Sequence, residues 1–559
     1  MGAVAGGLGL TAAVPVLDHL FPSALQIGTT NTVTAVGKFD PWPPRIWQEG
    51  GGVRWTPTTN AGVFEVVVDP GAVPGVRFVR AVNDEGATGP RFLTLTTGPQ
   101  PLEAEPNNDP STAQLLPRDA SSINGRLEKN GDVDLYAVDL EPGQTLVADL
   151  EAYRLMSPLD PVLRLLDPRG VMVAWNHDDP RSMDPFLAWT AERAGRHLLQ
   201  VFAFPYPADA EIRFTGNPKG IYRLKTTTGP FVRFTQPLGI QRGASTRLEP
   251  VGWSLGATNG VPLIVDGSVP EGEPEKELPI PGRPWPLRVP VGDGPERLEV
   301  EPNGTVAEAM AVEVPSSVSG DLDGVGDVDR FRITVAKGDL VVFDVRAIRL
   351  GFPLDAWLAV EEASGKELIR VDDASGSDPR LEWTAPADGV HVVAVGNLLQ
   401  RGGRDQRYRL GLERPRPSIH ATVSGGEWVL ERGKTNEIKV VVERRHGFKG
   451  ALAVSATGLP AGVSAAAAEV PEKGGETVLR LVTAAEAPTA SGPFRIEVTE
   501  TPGGRVHEVF QELVSAGENN GVPQGFRTLV RDRLSDLWLT VPPPPPPPPP
   551  PKEAKATGG

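Results

Sequence analysis

The sequence predicts an all-β chain: a multidomain string of β-sandwiches that ends in a disordered, Pro-rich C-terminal tail. Three observations predict it. Apolar residues alternate with period two through many short segments, such as Asp134-Leu-Tyr136-Ala-Val138 and Val390-His-Val-Val-Ala-Val395; that is the pattern of strands buried on one face. Gly (63) and Pro (58) are spread along the 559 residues, where they break helices and supply turns. Finally, a long segment occurs twice.

The duplication organises the chain. Glu103-Ala-Glu105-Pro-Asn107 recurs as Glu299-Val-Glu301-Pro-Asn303, and Gly131-Asp132-Val-Asp134 as Gly326-Asp327-Val-Asp329. Pro158-Leu-Asp160 recurs as Pro353-Leu-Asp355, Asp178-Asp179 as Asp372-Asp373, and Asp184-Pro185 as Asp378-Pro379. Trp189-Thr190 and Tyr222-Arg-Leu return as Trp383-Thr384 and Tyr408-Arg-Leu. Seven matches in one order mark a duplicated domain. The segment ahead of each copy also matches, with Pro22, Gly28 and Gly37 answering Pro237, Gly243 and Gly252 in constant register. The duplicated unit is therefore a small leader domain followed by a larger one. At about 100–200 residues per domain, the length suggests about three to five domains.

The order Glu-Pro-Asn, Gly-Asp-x-Asp, Leu-Asp-x-x-Leu, Asp-Asp with Asp-Pro, and Tyr-x-Leu resembles the bacterial pre-peptidase C-terminal (PPC) domain. The resemblance covers 102–228 and 298–414. It implies a jelly-roll-like β-sandwich of the kind found beside secreted proteases and in bacterial surface proteins. The leaders, 16–98 and 229–296, resemble IPT/TIG-type immunoglobulin-like domains. Residues 417–513 read as a further immunoglobulin-like unit, with alternation in Asn436–Val442 and a Gly458-Leu-Pro-Ala-Gly-Val463 turn. Residues 1–15 read as a signal-peptide remnant or a flexible leader, because a small apolar run lacks the basic start of a signal. Residues 514–559 read as a tail whose ten prolines at 542–551 form a stiff polyproline II rod.

Composition narrows function. Lys plus Arg is 55 against 71 for Asp plus Glu, a net charge of −16. Such a surface repels phosphate backbones, so no nucleic-acid partner is expected. No Cys is present, which excludes disulfides, Cys-zinc sites and thiol nucleophiles. No run of 18 apolar residues spans a membrane. Gly252-Trp-Ser254-Leu-Gly256 matches G-x-S-x-G, but no alternating βα pattern surrounds it, so it reads as a loop rather than a nucleophile elbow. The seven His show no metal-ligand spacing. Trp175, Trp189, Trp357 and Trp383 are candidates for an exposed glycan-binding face, with Trp189 and Trp383 better placed in the core because they share a repeat position.

The acidic residues are the one constellation that recurs. Calcium takes six to eight hard oxygens, and alternation puts Glu103 and Glu105 on one face of an extended segment. The PPC resemblance implies a Ca²⁺ site formed by Glu103, Glu105, Asn107 and Asp132, and in the second copy by Glu299, Glu301, Asn303 and Asp327. Where such a domain places a further ligand, this chain has Lys129 in the first copy and Gly324 in the second. The second copy is the better candidate, because Asp321, Asp323, Asp327 and Asp329 cluster there. The alternative is that Glu-Pro-Asn clamps the linker while the Asp residues bond turn amides. The expectation is a non-catalytic secreted or cell-surface protein, monomeric, acting as scaffold, adhesin or ligand-binding module toward a protein or polysaccharide of the cell envelope or matrix. A carbohydrate- or protein-binding accessory of a secreted hydrolase system is the second reading.

Overall fold

In the computed structural model, residues 13–117, 120–205, 213–256, 260–270, 272–280, 285–373, 377–513 and 532–545 are described. The regular structure there is strand apart from two single 3-10 turns, Tyr153–Leu155 and Ile348–Leu350, and a helical residue at Gly256. No described helix is long and apolar enough to cross a membrane. Most of the leader 1–15, residues 514–531 and most of the proline run lie outside the described residues.

Five sandwiches follow one another. The first pairs two four-stranded sheets around Leu20, Val33, Phe64, Val79 and Leu93. The third is smaller, two three-stranded sheets around Ile240, Leu248 and Val291. Between and after them stand the two larger repeats, which share one strand order. In the first repeat one sheet runs Ser121–Arg126, Ile221–Thr227, Thr145–Glu151, Phe186–Thr190. The second repeat gives Ser316–Asp321, Arg407–Glu413, Leu340–Arg346, Arg380–Thr384 in that order, and adds the linker strand Glu296–Leu298 at the edge, parallel to Ser316–Asp321.

The period-two pattern explains these sheets. Along Val328–Val335 the residues Asp329, Phe331, Ile333 and Val335 are buried, while Arg332 and Thr334 are exposed. At about 25 cal/mol per Å² of apolar surface, such alternation fixes which face turns inward. It also carries Asp329 into the core face, which matters for the site.

One domain boundary is corrected. The tail was expected to begin at 514, yet Asp532–Leu534 pairs with Phe510–Leu513, and Leu537–Val541 pairs with Ala490–Thr501 and Glu427–Val429. Leu537, Leu539 and Val541 sit in the core of the last sandwich. The reason is that this sandwich lacks a central strand without them, and three alternating apolar side chains supply it. The last unit therefore includes Asp532–Leu534 and Leu537–Val541.

Candidate functional site

Each repeat opens on the Glu-x-Glu-Pro-Asn segment, which lies across the start of the Gly-Asp-x-Asp strand. In the first repeat, Glu103 is tied to the neighbouring strand: its N–H donates to the Asn124 carbonyl (3.0 Å) and its Oε2 accepts the Arg126 N–H (2.7 Å). Arg126 Nε lies 3.5 Å from the other carboxylate oxygen. Glu105 Oε2 accepts the Asn107 N–H at 2.9 Å. The Asn107 side chain is fully buried, and with its amide turned so that nitrogen and oxygen exchange places, the nitrogen donates to Glu105 Oε2 (3.2 Å) and Asp134 Oδ1 (3.0 Å). Asp132 caps a turn, accepting the Glu128 N–H at 2.9 Å and the Asn108 Nδ2 at 3.1 Å.

The second repeat keeps the frame and changes the filling. Glu299 accepts the Asp321 N–H, and Glu301 Oε2 accepts the Asn303 N–H at 2.7 Å. Asp327 closes its own turn through the Asp323 (2.8 Å) and Val328 (2.8 Å) amides. Asn303 is fully buried, and neither its Oδ1 nor its Nδ2 has a hydrogen-bond partner. A buried amide left this way costs about 1–3 kcal/mol.

The ligand sets expected from the sequence leave out one residue per copy. Asp134 and Asp329, the second Asp of each Gly-Asp-x-Asp, are fully buried and complete the clusters. Ligand-type oxygens of Glu105, Asp132 and Asp134 lie within 4.8 Å of one another, as do those of Glu299, Glu301 and Asp329. Glu103 in the first copy and Asp327 in the second stand outside these groupings. The signal was present: Asp134 shares its strand face with Tyr136 and Val138, both core residues. Tyr222 donates its hydroxyl to Asp134, and Tyr408 donates to Asp329 Oδ2 at 2.5 Å. Gly125 and Gly320 make room for these rings, since a Cβ at either would fall 2.2 Å from the Tyr222 ring or 2.5 Å from the Tyr408 hydroxyl.

Crowding shows in the acid–base behaviour. Burial first, then neighbouring carboxylates, raise Asp134 and Glu103 in the first copy. Burial and the Asp329 charge raise Glu299, and burial raises Asp329 in turn. Each cluster thus holds protons near neutral pH that a cation would displace. One difference separates the copies. Arg126 beside Glu103 answers to Asp321 beside Glu299, so the first copy carries a fixed cation where the second carries a carboxylate, itself paired with Arg407 at 2.8 Å. The sequence reading placed the opposing charge on Lys129, which is exposed; Arg126 is the closer one.

Several other candidates find structural uses, while Asp160, His177 and Asp178 bring ligand-type atoms within 4.8 Å of one another. Asp184 accepts the Ala152 (2.8 Å), Tyr153 (2.6 Å) and Arg154 (2.9 Å) amides, and Asp378 accepts the Ala347, Ile348 and Arg349 amides at 3.1, 2.9 and 3.0 Å. Asp179 is buried against Arg181 and Arg233. His177 Nε2 lies 3.0 Å from Asp160, with Asp178 nearby. Ser254 follows the strand Thr246–Trp253 with φ of 53°. Trp383 is core and Trp189 packs against it in its own unit, while Trp175 is 60% exposed.

No family model matches the chain. Among curated proteins, a probable subtilase-type serine protease of Deinococcus radiodurans is 36% identical over 110 residues, 19% of this chain. The chain spans 15% of that relative's length. Among solved structures, the pre-peptidase C-terminal domain of a collagenase from Bacillus anthracis is similar at 17% identity, over 19% of this chain and 95% of that one, with a TM-score of 0.16. Tripeptidyl peptidase 2 aligns over 90% of this chain and 40% of its own at 9% identity and a TM-score of 0.15. The class that the fold defines is a multidomain β-sandwich protein.

Proposed function

We propose that the chain is a non-catalytic, extracytoplasmic scaffold or ligand-binding protein whose second PPC-like unit takes Ca²⁺ at its entrance. The observation that supports this most is the Asn303 side-chain amide, buried and unpartnered, in a residue whose backbone N–H donates to Glu301 of the Glu299, Glu301 and Asp329 group. The donors are all oxygen, which suits a hard cation and not a thiophilic metal. Glu299, Glu301 and Asn303 come from the linker and Asp329 from the sandwich. A shared ion would therefore staple linker to domain and stiffen the joint with the preceding unit. Asp327 serves the turn rather than the ion. Likeness to a probable subtilase-type serine protease favours a second reading, an accessory to a secreted hydrolase.

The test is a melt of the full chain with and without divalent ions. Extracellular modules bind calcium at about 10⁻⁴–10⁻³ M. At ten times Kd, binding to the folded state alone adds about 1.4 kcal/mol, a shift of several degrees for a unit of this size. Calcium should raise one transition, magnesium should raise it less, and Glu301→Gln should blunt the response. Equal shifts from the two ions, or a Glu301→Gln response like the parent's, would remove the proposal.

A further inference from the structure

The first sandwich carries a strand that is buried on both faces. In Gly75–Val82, Val79 and Ala81 point into their own core. By alternation Phe78, Arg80 and Val82 must point out, yet all three are buried. The same anomaly occurs at the other end of the chain. In Leu537–Val541, Leu537, Leu539 and Val541 belong to the core of the last sandwich, while Trp538 faces outward and is 2% exposed.

These two outer faces cover each other. Trp47 meets Trp538 edge to face at 5.5 Å. Phe78 and Phe92 pack with Leu513 and Leu534, and Val82 and Ala87 with Trp538. At the centre Arg80, fully buried, donates to the Thr88 carbonyl at 2.8 Å and pairs with Glu427, 347 residues away. Its Nε and Nη2 have no partner. Glu427 supplies the counter-charge, with Asp536 contributing from farther off.

The remaining joints are also bonded. Asn124 Oδ1 accepts the Ser23 and Ala24 amides (3.2 Å each), joining the first unit to the first repeat. Asp179 pairs with Arg233 at 2.7 Å, joining that repeat to the third unit. The Leu238 N–H donates to Ser319 Oγ at 2.9 Å, and His446 lies 3.1 Å from Glu382. Contacts therefore run from unit to unit and back to the start.

We infer that the first and last sandwiches form an intramolecular clasp, centred on Arg80 and Glu427, that closes the five units into a ring. The occupant of the first unit's outer apolar face is the last unit of the same chain. Closure is independent of calcium, since none of the proposed ligands lies in the clasp. A ring and a line differ in size. Units of about 100 residues have a radius of gyration of about 13 Å. From that unit size, five in a closed ring give about 30 Å and five in a line about 48 Å, a 1.6-fold difference.

The experiment is small-angle scattering with light scattering on the full chain. The parent should be a monomer near 30 Å. Arg80→Glu places a carboxylate against Glu427 and Asp536, and should extend the chain toward the about 1.6-fold limit of a line, with its strand circular dichroism intact. The reversed pair Arg80→Glu with Glu427→Arg should return it to the compact value. Should Arg80→Glu lose its strand signal, Glu427→Arg alone, at a partly exposed position, carries the comparison and should also extend. A parent already near 48 Å, a parent of dimer mass, or charge variants that stay compact and folded would overturn the clasp.

Discussion

Asp378→Ala should be among the most damaging single changes in the second of the two larger repeats. The carboxylate is buried and accepts three consecutive amides of the 3-10 turn, Ala347, Ile348 and Arg349, plus the Arg349 Nε at 2.9 Å. Alanine leaves all four donors without it. Each unsatisfied buried donor costs about 1–3 kcal/mol, and a guanidinium stripped of one buried partner costs more. Arg349 keeps Asp344 at 2.7 Å, and water can reach part of the turn. Taking the low end for each group gives about 3–5 kcal/mol. Hydrogen exchange on the full chain reads this locally, since a single unfolding free energy is poorly defined for five units. At about 1.4 kcal/mol per tenfold, the amides of 347–349 should lose protection by about two to three and a half orders of magnitude. Asp184→Ala should do the same in the first repeat, because Asp184 holds the equivalent turn. A loss under about 1 kcal/mol would refute the claim that the Asp-Pro motif anchors the fold, for then the turn forms without its carboxylate.

Three further outcomes follow from the same structure. Asp344 is buried, but Arg346 and Arg349 outweigh that burial and hold it at about 2, below its unfolded value. Its stabilisation, about 2 kcal/mol, is present above pH 4 and lost as pH falls toward 2, so Asp344→Asn should flatten the melting curve of that unit across this window. Burial and the Asp329 charge push Glu299 up to about 10, and burial, with the Asp327 and Glu301 charges, pushes Asp329 to about 7. These folded values exceed the unfolded ones, so without calcium stability should decline as pH rises from about 4 through neutral, and saturating calcium should remove that slope. Finally, Ser254→Ala should match the parent in protease, esterase and glycosidase assays at background level; activity that vanishes in the variant would make Gly252–Gly256 a catalytic loop.

The fold was largely legible because the signals are local. Alternation in Phe331–Val335 and the ordered motif pairs already contain the strands and the duplication. The site was half legible. Glu301 and Asn303 were found by motif, but Asp329 was passed over in favour of Asp327, although its place on the inward face beside Phe331 marked it. Arg126 escaped notice because its approach to Glu103 depends on which strands pair, not on spacing. The strand Leu537–Val541 was hidden by the prolines beside it. The clasp was illegible for a plainer reason: Arg80 in an alternating strand looks like a solvated charge until the residue 347 positions away is known.

The calcium proposal stands on the Glu299, Glu301, Asn303 and Asp329 cluster, and isothermal titration of the full chain with calcium addresses it most directly. The parent should show a site of about 10⁻⁴–10⁻³ M Kd, with proton release visible as a buffer-dependent heat. Asp329→Asn should abolish that site, while Asp327→Asn should leave it. Heat that persists unchanged in Asp329→Asn, or that vanishes in Asp327→Asn alone, would contradict the assignment.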